Sequence, residues 1–169
     1  MTTTDLSFPR AGFSRRLGAW IYDFLLSVSV YMIAGAISFA IFALLIKAGV
    51  INSQGEEHVI SVLENSLLFT YLNEVWKLGW VAFFFVWFWS RSGQTLGMRA
   101  WRLRVQNCDG SLISKKTALK RLFPTLLGLG NLWVLVDRKN KQSLQDKLTN
   151  TEVVVLSLAA NKGPNWSNG

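Results

Sequence analysis

The feature that most limits what this chain can become is an apolar run without a charged side chain from Phe24 to Ile46. At about 1.5 Å of helical rise per residue, its roughly 23 residues are enough to cross a hydrocarbon core of roughly 30 Å. Half of the chain is apolar, 13% is aromatic and the mean hydropathy is +0.26, rich for a soluble domain of 169 residues. The expected class is therefore a membrane protein, mainly α-helical. A cleaved leader would need the "AGA" at Ala34 to Ala36 as its processing site, yet the run continues ten residues past it without a polar break. A retained helix, about 17–46, is the expectation.

The charges then decide orientation. Residues 1–16 carry Arg10, Arg15 and Arg16 against Asp5, a basic lead-in that places the N-terminus in the cytoplasm. Between Lys47 and Ser66, Glu56, Glu57 and Glu64 stand beside one lysine, with Gly49, Asn52 and Gly55 as breakers; this reads as an external loop. A second helix is expected over about 67–89. To span, it must take in Asn73, Glu74 and Lys77; Glu74 and Lys77, three apart, share a face and can neutralise each other. Trp76, Trp80, Trp87 and Trp89 lie toward its two ends, as an aromatic belt would.

From 90 to 121 the chain is basic, with eight Lys or Arg from Arg91 to Arg121 against Asp109 alone, which again indicates cytoplasm. Trp101, Leu103 and Val105 alternate there with Arg102, Arg104 and Gln106, a strand pattern with one basic face, and Asp109-Gly110 supplies a turn. A third apolar segment, 122–136, is only about 15 residues long and is interrupted by Pro124, Gly128, Gly130 and Asn131, so re-entrant, interfacial and spanning readings are all open. The closing block, 137–156, ends in "TEVVV", a strand that needs a partner. The strand from Trp101 to Asn107 is the best one, with Glu152 facing Arg102 or Arg104. That pairing puts both strands, and the C-terminus, in the cytoplasm as a small β-element. The tail, 157–169, is expected to be disordered.

Three blocks resemble the RDD family of small bacterial membrane proteins, named for one arginine and two aspartates. "FSRRLGAWIYDFLL" is similar to the family's opening helix and places the arginine and first aspartate at Arg16 and Asp23. "GQTLGMRAWRLRV" resembles its Gly-x-Thr-x-Gly-Lys-Arg block, giving Gly93, Thr95, Gly97 and Arg99, with Met98 where lysine is usual. "KNKQSLQDKLTNTEVVV" resembles the closing block, with the second aspartate at Asp146 and Gln145 in place of a frequent histidine. The resemblance covers about residues 10–156. It implies a bacterial inner-membrane protein of ill-defined role, for which transport has been proposed and, in some members, sodium/proton exchange.

Arg16, Trp20 and Asp23 fall at i, i+4 and i+7 on one helix face, but about 10 Å separates Arg16 from Asp23 along the axis. A third group must bridge them, and Asp146 is the candidate. The cluster could staple the first helix to a cytoplasmic cap, or Asp23 could exchange a proton or cation in an oligomeric transporter. Alternatively, the chain is an adaptor whose basic face, with Arg99, Arg102, Arg104, Lys115 and Lys116, holds anionic lipid headgroups or a protein partner. No nucleophile-base pair or phosphate loop supports an enzyme, and single Cys108 and single His58 do not make a Cys/His metal site. No cofactor is expected. Nucleic acid is not an expected partner despite the net charge of +8, because the basic residues flank membrane segments.

Overall fold

The computed structural model describes residues 8–52, 61, 66–126, 129–137 and 139–162. Most of the expected external loop, with Glu56, Glu57, His58 and Glu64, lies outside them, as do Gly128 and the last seven residues of the tail.

The apolar run folds as helix α1, Phe13–Lys47. Only 11% of its apolar window is buried within the chain, so its surface asks for a lipid environment rather than for a protein core. The second segment folds as α2, Leu67–Ser92. Here the expectation of two membrane-crossing helices is met in part, for one of them. Among the described residues, α1 is the one single helix long and apolar enough to cross, because Asn73, Glu74 and Lys77 interrupt the apolar surface of α2.

Two compact units contain these helices, Met1–Leu25 with Phe85–Gly169, and Leu26–Phe84. In the second unit, polar groups of α1 and α2 satisfy one another. Lys77 pairs with Glu74 at 2.5 Å, Tyr31 donates to the other Glu74 oxygen at 2.6 Å, and Ser38 donates to Asn73 Oδ1 at 2.6 Å. Trp76 Nε1 donates to the Ala34 carbonyl at 3.1 Å, and Phe42 meets Phe69 edge-on. Polar groups on otherwise apolar helices are paired in this way, and the Glu74–Lys77 pairing is the one the sequence spacing anticipates.

In the first unit, α2 is followed directly by Gly93, whose φ of 70° glycine adopts freely, and then by a short helix α3, Leu96–Ala100. Strand β1, Leu103–Asn107, begins two residues later than the pattern suggests, because Trp101 caps α3 and Arg102 takes a positive φ of 58°. The Asp109-Gly110 turn forms as expected, with Ser111 donating twice to Asp109 Oδ1 and Gly110 at a φ of 82°. Ser114 then caps α4, Lys115–Leu126, which starts in the basic region and runs into the third apolar segment. A second piece, α5, Leu129–Val136, is bent 78° from α4, and the two reach membrane-crossing length only together.

Helix α6, Leu144–Thr149, leads through Asn150 in the left-handed conformation into β2, Thr151–Val155. β1 and β2 pair antiparallel, with Leu103 opposite Val155 and Gln106 opposite Glu152. The partner strands are those expected, but the register is not. Glu152 faces Gln106 and binds Arg10 Nε at 2.9 Å, not Arg102 or Arg104. A two-stranded sheet is marginal alone. Here the lead-in covers the free edge of β2, with Ala11 donating to Val153 and Val155 to Pro9, both at 2.8 Å, over a core of Leu103, Val105, Ile113 and Val154. The first residues of the expected disordered tail are also ordered. Leu158–Lys162 forms helix α7, because Ser157 caps it and Asn161 donates to the Arg99 carbonyl.

Candidate functional site

Asp146 sits in the first turn of α6 as half of a reciprocal cap, accepting from the Ser143 backbone at 3.0 Å while Ser143 Oγ accepts from its own N–H. That cap aims a fully buried carboxylate at two guanidinium groups. Oδ2 accepts from Arg16 Nη1 and Oδ1 from Arg121 Nη2, each at 2.7 Å. Arg16 spends its other donors on Ala11 O, Ser143 Oγ and Lys141 O, and Arg121 donates to the hydroxyls of Thr149 and Thr151. Burial disfavours the charged Asp146, but Arg121, Arg16 and the Ser143 amide outweigh it and hold the carboxyl below the usual carboxylate range.

Asp23 takes other partners. Its Oδ2 accepts from Thr95 Oγ1 at 2.5 Å and its Oδ1 from the Gly97 amide at 3.0 Å. Thr95 in turn accepts from Met98 N as the cap of α3. The glycines of this block are steric requirements. A Cβ on Gly97 would stand 2.6 Å from both the Ala19 carbonyl and Asp23 Oδ1, and one on Gly93 would stand 2.6 Å from the Val105 carbonyl. Gly18 likewise leaves room for the Trp101 ring.

The expected triad therefore divides. Asp146 reaches Arg16, but its second partner is Arg121, which the sequence reading did not single out, and Asp23 bonds to the Gly-x-Thr-x-Gly loop. Both centres line one pocket of about 60 Å³, whose walls include Arg16, Asp23, Arg121, Trp89 and Gln145. Trp89 thus belongs to a buried wall rather than to an aromatic belt, while Trp76, Trp80 and Trp87 are exposed. The signal for Arg121 was its spacing. With Ala118, Leu122 and Thr125 it forms the inward stripe of α4, so a cation there has to be buried and paired.

The family model for RDD matches residues 10–150. The chain belongs to the RDD family. No curated protein and no solved structure matches it. In this RDD protein, Arg16 and Asp146 meet across 130 residues of sequence and Asp23 meets Thr95 across 72. The other residues read as candidates from the sequence lie elsewhere. Asn73, Glu74 and Lys77 belong to the second unit. Arg99, Lys115 and Lys116 are exposed and Arg102 and Arg104 half-buried, outside the two carboxylate centres. Family and apolar helix together mark a membrane protein of undefined role.

Proposed function

We propose that this protein is a multi-pass component of the bacterial inner membrane that, as a homo-oligomer, carries a cation or a proton past Asp23. The observation that supports it is the contrast between the two buried carboxylates. Asp146 is neutralised by two arginines, as a structural anion would be. Asp23, the sole acidic residue of α1, is held by a hydroxyl and an amide, neutral donors that position a carboxylate yet leave it able to take up and release a positive charge.

The topology proposed with it has α1 and α2 spanning, both termini in the cytoplasm, and α4–α5 dipping in and returning. The β1–β2 pairing supports this, since paired strands share a side. The Glu74–Lys77 pair supports α2 as a span by neutralising its charges internally. Two spans per protomer are few for a path, hence the oligomer. No chemical step is required, and the role proposed is not enzymatic.

The test is ion-coupled proton flux in vesicles reconstituted with the purified full chain, in wild type and Asp23→Asn. Loss of flux in a variant that folds and inserts normally is the expected result. Unchanged flux would sink the reading. A second reading, an adaptor for anionic lipid or an acidic protein partner, is favoured by the outer face of α4, where Lys115, Lys116 and Lys120 stand beside exposed Leu119 and Phe123. It requires capture that weakens with salt and with charge removal on α4.

A further inference from the structure

The pocket shared by Asp23 and the arginines carries three unmet polar atoms. Trp89 Nε1, Arg121 Nε and Gln145 Oε1 are buried with no hydrogen-bond partner among the described residues, and their residues are only 4%, 3% and 3% exposed. All three residues line this one pocket. Native interiors rarely leave such groups unsatisfied, so three around one space indicate a polar occupant.

Size and charge limit what that occupant is. A water needs about 10–15 Å³ of cavity, so about 60 Å³ holds a few waters and excludes a larger metabolite. Arg16 and Arg121 already share the Asp146 carboxylate, and Asp23 adds one acidic group to the same lining, so the pocket has no excess of either sign that calls for a resident ion. Two unmet donors and one unmet acceptor call for a species that both accepts and donates.

We propose that the pocket is a hydration site, holding a cluster of about two to four ordered waters that accepts from Trp89 Nε1 and Arg121 Nε, donates to Gln145 Oε1 and reaches the Asp23 carboxylate. The cluster joins the two polar centres into one hydrated core. It does not require transport, and it supplies a route by which a charge at Asp23 could exchange.

X-ray radiolysis of the full chain in lipid nanodiscs, read by mass spectrometry, tests this directly, because radicals made from bound water oxidise the side chains beside it. Trp89 and Met98, both buried on the pocket walls, should oxidise within about threefold of the rate of half-exposed Trp101, and at least about fivefold more slowly once Ala19→Val fills the space. Val153→Leu serves as the filling variant if Ala19→Val does not fold. Trp89 and Met98 as inert as a dry core, or oxidation unchanged by filling, would overturn the proposal. Radiolysis reads hydration and vesicle flux reads transport, so a water-filled pocket in a protein without flux would separate the two.

Discussion

Gly97 donates its amide to Asp23 Oδ1 at 3.0 Å, and a side-chain carbon on Gly97 would lie 2.6 Å from that same oxygen. The close approach that makes the bond leaves no space for a Cβ, and the second obstacle, the Ala19 carbonyl, is helix backbone that cannot swing away. Gly97→Ala should therefore lose about 1–3 kcal/mol in reversible unfolding in detergent. Gly12→Ala, whose added carbon meets nothing within 4 Å, should stay within about 0.5 kcal/mol. Gly18→Ala should fall between them, because its obstacle is the ring of Trp101, 37% exposed and free to turn outward.

Asp146 balances two buried guanidinium groups, so its neutralisation leaves both without a counter-charge. Asp146→Asn should cost about 3–5 kcal/mol in the same assay. Glu152→Gln is the comparison, because the Arg10 side chain it binds is 36% exposed; that change should cost about 0–1 kcal/mol. Equal losses in the two variants would mean that the arginines find other partners.

Because the folded Asp146 carboxyl is held below its ordinary value of about 3.9, its contribution to stability has a definite pH window. It is fully present above the unfolded value and disappears as the pH falls through the lower, folded one. The stability gap between wild type and Asp146→Asn should stay constant from pH 7 to about pH 5 and narrow below about pH 4. Denaturant midpoints across that range measure it; a gap that closes near pH 6 would contradict the assignment.

The pairing of β1 with β2 predicts sidedness. Exposed Cys108 follows β1, and exposed Ser157 follows β2. Native Cys108, and Ser157→Cys in a Cys108→Ser background, should each react with a membrane-impermeant maleimide in inverted vesicles and not in intact cells. Reaction of the Ser157→Cys thiol from outside would mean that 122–136 crosses the bilayer once, which is incompatible with the observed strand pair.

The sequence by itself determined the features that rest on local pattern. The uncharged run specified α1, the spacing of Glu74 and Lys77 their pairing, Asp109-Gly110 the turn, and the alternation over 101–107 together with the β-branched run at 151–155 the two strands. Each depends on neighbours within a helical turn or on a strand's alternation, which one chain displays directly. Tertiary structure alone decided who meets whom at long range. It assigned Asp146 to Arg121 as well as Arg16, Asp23 to Thr95 and Gly97, and Glu152 to Arg10. Arginines and carboxylates are chemically interchangeable as partners in a sequence. The cap that aims Asp146, the glycine that admits Asp23 and the lead-in that closes the sheet edge choose among them only once the backbone has brought them together.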